Sequence, residues 1–390
     1  MSSARTISGK AAIVGVHESP VRNAPDTHPF AILADCVHRA LADAGLSIED
    51  VDGLCVAQGD LAEGGAAEDV IEVAEYLGIR PTYLDSTDIG GASYLAMAGR
   101  AAAAIASGLA EVVIIAYAAC PRNWPIQGSL DAATFPAGPG QFDVPYGPTL
   151  VSNYAMIAQR HMHDYGTTSE QLAAIAIQCR ANASLNPHAR FTEPLTIEDV
   201  ITSPLVASPF HRFDCCVVTD GGAALVMTSV ERARDLPSQA ITLQGYGEAV
   251  TAIQLSQMPS LTVTPASVSG RRAFAMADLK PSDVDVAQLY DAFTITPLLA
   301  IEDLGFCAKG EGGPFVAEGN IAPGGVLPIN TDGGGLSSNH PGKRGLIALV
   351  EAVRQLRGES PGVTIPGAEI ALVHGWGGFM SSAATVLLSR

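Results

Sequence analysis

The chain is short of positive charge: 22 lysines and arginines stand against 40 acidic residues in 390, a formal net charge of −18. Binding by counterion release needs a basic surface, which excludes nucleic acid and anionic membrane as partners. A polyanionic ligand would need local positive groups set against that field. Long apolar runs are also missing. No stretch of 18 apolar residues occurs, and the opening MSSARTISGKAAIVGV passes straight into a strand-like segment without the regions of a leader peptide. The expectation is a soluble, cytoplasmic chain. The seven cysteines (Cys36, Cys55, Cys120, Cys179, Cys215, Cys216, Cys307) contain no C-x-x-C pair, which argues against a disulfide framework and a zinc site. Most read as small buried apolar residues.

What the chain does have is 47% apolar content, enough for a large core or two fused ones. It also has a repeat. RALADAGLSIEDVD, from Arg39, and RAFAMADLKPSDVD, from Arg272, are identical at eight of fourteen positions. A second echo pairs EVVIIAYA from Glu111 with EIALVHGW from Glu369. Each half alternates strands with helices over residues 30–44, 93–107 and 346–356, which implies parallel sheets covered by helices. Residues 120–235 differ. Pro121 to Pro148 is rich in Pro, Gly and aromatic residues and reads as irregular. Helical stretches follow at 149–164 and 169–183, the second capped by Thr167 or Thr168, and GGAALVMTS at 221–229 returns as a strand.

Three glycine-rich loops suit a site: DIGGAS at 88–93, NTDGGGLSSNHPGKRG at 330–345 and HGWGGFMS at 374–381. Their glycines let backbone approach a ligand, and a helix starting near Gly342 would aim amide donors at a developing oxyanion. His340 lies in a loop that needs no histidine for packing. His374 follows an apolar strand, a place that suits a structural hydrogen bond as well as catalysis. Tyr290 opens Y-D-A-F, and Asp291 either orients it or caps the next helix. His161 and His163 point to different helix faces, which argues against a metal pair. Lys343 and Arg344 read as a solvated face.

The three loops in this order, with Y-D-A-F at 290–293, resemble the thiolase superfamily over nearly the whole chain. M-I-A-Q-R-H-M-H-D-Y-G-T-T-S-E-Q-L-A at 156–173 and D-C-C-V-V-T-D-G-G-A-A at 214–224 resemble its sterol-carrier-protein branch. The resemblance implies an α/β fold with a duplicated five-layered αβαβα core. Residues 1–119 with 221–245 would form the first half, 120–220 an inserted loop domain and 246–390 the second half. The family's nucleophilic cysteine matches Gly91, with Ser93 two residues into the helix, and the family's second cysteine matches Gly375. A glycine cannot be acylated. His340 matches the histidine of the family's G-H-P motif, and Tyr290 matches the residue that holds a catalytic water.

Y-D-A-F and H-G-x-G-G also resemble the cysteine-less thiolase-like aldolases of steroid side-chain degradation. Tyr290 stands for the first tyrosine of that group's pair and His340 replaces the second. The implied activity is retro-aldol cleavage of a β-hydroxyacyl-CoA in lipid or steroid side-chain catabolism. Tyr290, His340, Asp291 and His374 would form the catalytic set, Gly91 and Gly377 the backbone donors, and Ser93, Gly334 and Gly378 the substrate contacts. No cofactor or metal is implied, since coenzyme A enters as substrate. The resemblance further implies a homodimer, through Pro81 to Thr87 and the helix from Ser93, and a small zinc-ribbon and OB-fold partner. That partner would cover Trp124, Phe135, Phe142 and Tyr146. The alternatives are a catalytically silent acyl-CoA- or lipid-binding protein and a scaffold subunit of an acyltransferase complex.

Overall fold

The computed structural model describes residues 7–57, 69–123 and 138–390. The first part runs β1 (Ala11–Glu18), α1 (Pro29–Ala44), β2 (Gly53–Cys55), α2 (Asp69–Leu77), β3 (Tyr83–Asp85), α3 (Ser93–Ala106) and β4 (Val112–Ala119). The middle holds α4 (Gly140–Asp143), α5 (Leu150–Tyr165), α6 (Ser169–Ala183), α7 (Ile197–Thr202) and a hairpin of β5 (Leu205–Ala207) with β6 (Phe210–His211). Then come β7 (Gly221–Ser229), α8 (Val230–Ala233), β8 (Ile241–Val250), α9 (Ala266–Ala277), β9 (Val286–Leu289), α10 (Ile295–Asp303), α11 (Gly312–Ala317), α12 (Gly345–Arg357), β10 (Ile370–Gly377) and β11 (Ser382–Ser389).

Among the described residues the large sheet has nine strands in the order β3-β2-β4-β7-β1-β8-β11-β10-β9. Its two halves join where β1 pairs with β8 at Ala12–Thr242 and Ile13–Ile241. Alternation along β1 shows how the layers form. Ala11 and Ile13 face a core shared with α3 and α12, whereas Ala12 and Val14 face α1. The other face of the second half buries α9 and α10. Helix, half-sheet, paired central helices, half-sheet, helix make the five layers that the resemblance implied.

The sheet is mixed, which corrects the expectation of parallel sheets. Strands β2, β3 and β4 are parallel, as are β9 and β10, but β7 and β11 run antiparallel to their neighbours. The connections explain this. β11 follows β10 through a tight turn, and β7 returns from the long middle segment, so neither needs the crossover helix that a parallel strand requires.

The repeat is physical. Asp52 accepts hydrogen bonds from the N–H groups of Glu111 and Val112 at the start of β4 (2.8–3.0 Å), and Asp285 accepts from Glu369 and Ile370 at the start of β10 (2.8 and 2.9 Å). The strand glycines match as well. A Cβ on Gly15 would strike the Ala40 carbonyl oxygen, and one on Gly245 the Ala273 carbonyl oxygen, so each helix lies directly on its strand.

Several local expectations shift. Thr149 caps α5, and Thr168 rather than Thr167 caps α6, in a box with Gln171. The Pro121 to Pro148 stretch is not wholly irregular, since α4 and a 3₁₀ turn at Val144–Tyr146 lie in it. Phe142 and Tyr146 are 62% and 89% exposed; Trp124 and Phe135 lie outside the described residues. α3 is an interior helix, and its small residues pack against α12 and both half-sheets. Among the described residues the sheet's edge strands are β3 in the first half and β9 in the second.

Candidate active site

Tyr290 leaves the end of β9 with its backbone fixed. Its N–H donates to the His374 carbonyl (3.0 Å), and its own carbonyl accepts from Thr296 Oγ1 (2.9 Å). The phenol hydroxyl lies 2.7 Å from the Gly342 carbonyl and 3.0 Å from His340 Nε2, and it accepts from the Arg344 N–H at 3.3 Å. A phenol has one proton to give and two acceptors here. A hydroxyl rotation together with a change of imidazole tautomer therefore reverses the direction of the hydrogen bond between the two rings. Both are uncharged near neutrality. Burial raises the Tyr290 phenol above its ordinary range, while burial and the Arg344 charge lower His340 to about 4.

Central helices α3 and α12 abut at this point, beginning at Ser93 and Gly345 respectively. The second start lies three residues past the expected Gly342. A Cβ on Gly345 would collide with the Gly91 carbonyl oxygen, so the two N-termini meet backbone to backbone. Their positive ends converge on the Tyr290 hydroxyl's surroundings, a field suited to a developing oxyanion. At Gly91 there is no room for a side chain. An added Cβ would overlap the Tyr290 ring and lie 2.6 Å from the Trp376 carbonyl oxygen. Gly375, the other cysteine-matched position, packs into β10 against Ala92, 3.2 Å from an added Cβ to Ala92 Cα.

The loop at 88–93 interlocks with the end of β10. A Cβ on Gly377 would overlap the Ile89 carbonyl oxygen, which accepts from Ser382 Oγ at 2.6 Å, and the Gly378 carbonyl accepts from Tyr154 Oη at 2.8 Å. Ser93 is the first residue of α3, not a residue inside it. Its buried hydroxyl donates to the Gly90 carbonyl (2.6 Å) and accepts from the Ile89 N–H (2.9 Å).

Asp291 points the other way. It accepts from the N–H groups of Gly335 (2.7 Å) and Leu336 (3.1 Å), with Arg344 Nε at 3.5 Å, and burial pushes its carboxyl up to about 6. It therefore caps the wide turn Gly334–Ser338, a π-helical element, rather than the helix that follows it. Gly334, at φ 69°, leaves room for that carboxylate and gives its N–H to Asp332 Oδ1 (2.9 Å). His374 is apart from these groups. Its Nδ1 lies 2.8 Å from Thr385 Oγ1, its ring stands edge-on to Trp376, and burial lowers it to about 3. Only its carbonyl reaches Tyr290.

The fold thus gathers Tyr290, His340, Gly91 and the Gly377–Gly378 turn, places Asp291 and Gly334 behind them, and sends the His374 ring elsewhere. It adds residues that the loop patterns did not reveal. Arg344, expected on a solvated face, is 1% exposed and paired to Asp332 through two 2.7 Å contacts, with a third to the Asn339 carbonyl. Thr219 Oγ1 accepts the His340 N–H (2.9 Å) and donates to Asn339 Oδ1 (2.6 Å). Tyr117 Oη bridges the Pro341 carbonyl and the Lys343 N–H (2.8 and 2.9 Å). A tyrosine near the end of an otherwise apolar strand was the one available signal. His161 is buried against Glu302 (3.0 Å) and Thr167 (2.8 Å), whereas His163 is exposed. Burial raises all seven thiols: Cys36, Cys120, Cys215 and Cys307 are pushed up to about 12, and Cys55, Cys179 and Cys216 also lie well above the usual value. None of them resembles an activated thiolate.

The chain as a whole is similar to known proteins. Residues 247–390 match the family model described as thiolase C-terminal domain-like. The chain is 37% identical over 380 residues to the 17-hydroxy-3-oxo-4-pregnene-20-carboxyl-CoA lyase of Mycobacterium tuberculosis, covering 94% of this chain and 96% of that one. It is 33% identical over 384 residues to an acetyl-CoA acetyltransferase of Methanothermobacter thermautotrophicus, covering 97% and 99%. Among solved structures, the Ltp2-ChsH2(DUF35) aldolase superposes with a TM-score of 0.86 at 33% identity, covering 99% of each chain.

Proposed function

The chain belongs to the thiolase superfamily, in the branch that holds the steroid side-chain lyases, and from that premise we propose that it cleaves a β-hydroxyacyl-CoA by a retro-aldol reaction. The observation that carries the reading is the uncharged Tyr290–His340 pair at the meeting of two helix N-termini, with its phenol ring filling the space a side chain at 91 would need.

In the proposed reaction the β-hydroxyl proton passes to the Tyr290–His340 pair, with neutral His340 as the base and the phenol as relay. The electron pair left on that oxygen forms the new carbonyl. The Cα–Cβ bond breaks, and its electrons form the thioester enolate. Backbone N–H groups around Gly91 and Gly377 stabilise the enolate oxygen, and the stored proton returns to Cα. A ketone or aldehyde and a shortened acyl-CoA leave. Nothing is oxidised or reduced, so the thioester supplies all the activation and no cofactor is invoked. Asp291 holds the turn behind His340, Ser93 and Gly334 shape their loops with polar groups already taken, and Gly378 lines the entrance.

We propose no acyl-enzyme step, because position 91 has no space for a nucleophile and the thiols elsewhere are disfavoured as thiolates. Assembly belongs to the proposal too: a homodimer built on the β3 edge, and a small zinc-ribbon and OB-fold partner over the exposed Phe142 and Tyr146. The test is to incubate the protein, alone and with a small zinc-ribbon and OB-fold protein, with β-hydroxyacyl-CoA esters and detect the released carbonyl compound by mass spectrometry. A trapped acyl-enzyme, or full activity in a Tyr290→Phe/His340→Ala double variant, would sink the reading.

A further inference from the structure

Behind His340 runs a chain of buried polar groups that ends on its backbone. It starts at Glu18, the last residue of β1, which is 8% exposed. The Glu18 Oε1 atom accepts from Asn339 Nδ2 (2.8 Å) and Arg22 Nη2 (2.8 Å), and Oε2 accepts from Arg354 Nη1 (3.3 Å). Burial alone would raise this carboxyl, but the two arginines outweigh it and hold it below its ordinary range, so Glu18 is a carboxylate. From Asn339 the chain passes to the Thr219 hydroxyl and on to the His340 N–H (2.6 and 2.9 Å). Asn339 and Thr219 are both fully buried.

The charge at one end sets the sense of every bond in the chain. A carboxylate only accepts, so the Asn339 NH₂ must face Glu18 and the Asn339 side-chain carbonyl must face Thr219. The Thr219 hydroxyl then gives its single proton to Asn339, which leaves a lone pair for the His340 N–H. Thr219 also closes on His340 from its own backbone, since its N–H donates to the His340 carbonyl (3.4 Å). Both polar groups of the His340 main chain are thus held by one residue whose orientation traces back to Glu18. The surroundings are stiff. Glu18 pairs with Ala223 across β1 and β7, and a Cβ added to Gly221 would lie only 3.2 and 3.3 Å from the Asn339 amide atoms. A displacement here reaches the reactive contact directly: His340 Nε2 lies 3.0 Å from the Tyr290 hydroxyl, and at about 3.6 Å that hydrogen bond is gone.

We propose that Glu18 is a positioning residue for His340, acting through the Asn339 amide and the Thr219 hydroxyl. Its carboxylate, contributed by the first half of the core, sets the imidazole of the second half against the Tyr290 hydroxyl. The assignment rests on the retro-aldol reading and extends it to a residue three hydrogen bonds away from His340. A carboxylate that only neutralised Arg22 and Arg354 would support folding and leave the rate per folded molecule alone.

The experiment compares Glu18→Gln, Thr219→Val, which keeps the side-chain shape without the hydroxyl, and the two combined, all measured per folded molecule. A misplacement of about 1 Å costs about 10² in rate, so Thr219→Val should lower kcat by about that factor and Glu18→Gln by about tenfold, with KM unchanged. Thr219→Ser should recover most of the rate. The combined variant should be no slower than Thr219→Val alone, because one chain is being cut twice. A readout independent of turnover is the His340 ring C–H signal in proton–carbon NMR, identified by its loss in His340→Ala. The ring stands edge-on to Tyr290 at 5.5 Å, where the aromatic ring current makes that signal sensitive to small displacements. It should move in Glu18→Gln and Thr219→Val and return in Thr219→Ser. If Glu18→Gln does not fold, Glu18→Gln/Arg354→Gln, which removes a cation together with the carboxylate, takes its place. An unchanged kcat in the Glu18 variant, losses that multiply in the combined variant, or an unmoved His340 signal would each overturn the proposal. If the wild type cleaves no thioester, the function reading fails alone and the NMR comparison decides: a His340 signal displaced by both changes supports the positioning role, and one that stays in place overturns it.

Discussion

The two halves of the core share a scaffold but not a chemistry. Both press a helix onto a strand glycine and tie a strand start to an aspartate, Asp52 in one and Asp285 in the other. At the site they diverge. The first half offers backbone and absent side chains, Gly90, Gly91 and a self-satisfied Ser93, whereas the second offers a phenol, an imidazole and a buried ion pair. Duplication supplies two converging helix ends, and reactive groups placed on only one of them keep the other free for the substrate.

That asymmetry predicts a graded series. Tyr290→Phe and His340→Ala should each lower kcat by about 10²–10³ with little change in melting temperature, and the double variant should lose less than the product of the two. Ser93→Ala should stay close to wild type in the same assay. A Ser93 effect as large as that of Tyr290 would erase the proposed division of labour. Gly91→Ala should be the most harmful first-half change, since its methyl must displace the Tyr290 ring at a cost of about 1–3 kcal/mol in stability, read by denaturant unfolding. Adding Tyr290→Ala should recover much of that stability and none of the activity.

The shared scaffold can be tested separately. Gly15→Ala and Gly245→Ala should destabilise by similar amounts, about 1–3 kcal/mol each, because each methyl meets the carbonyl of an equivalent helix. Activity per folded molecule should not change; markedly unequal penalties would show that the duplication is only formal. The smallest effects concern pH. His374 is buried neutral with its value lowered to about 3, so its stability contribution is full above about pH 6.5 and is lost as pH falls toward 3. Asp291 and Glu351, raised to about 6 and 7, act oppositely and favour the folded state at lower pH. A His374→Gln variant should therefore lose less stability than wild type between pH 7 and 4. With His340 lowered to about 4, kcat/KM should show no inflection near 6.5 from an ordinary histidine.

Much of this organisation could be read from residue order alone. The R-A-x-A-x-A repeat gave the two halves because Ala40 and Ala273 sit where a helix must touch a strand, a constraint local enough to leave an imprint. Tyr290 and His340 were joined only by the family resemblance, since Y-D-A-F lies outside the three glycine-rich loops. Strand direction was not legible, because β7 and β11 are as apolar as parallel strands and only their connections set their sense. Arg344 was missed because charge next to glycine reads as surface, and nothing local shows that Asp332, twelve residues earlier, folds back to meet it.

The contact between position 91 and the Tyr290 ring also constrains the order of mutations. A side chain at 91 and a tyrosine at 290 exclude each other, so no single substitution can install a nucleophile here while keeping the present site. Any route toward covalent chemistry must first give up the tyrosine, and any route back must first empty position 91. Both pass through a form with neither group. Two activities separated by such a form do not drift into each other, and directed evolution from this chain toward acyl transfer would have to carry that form before a nucleophile could stand at position 91.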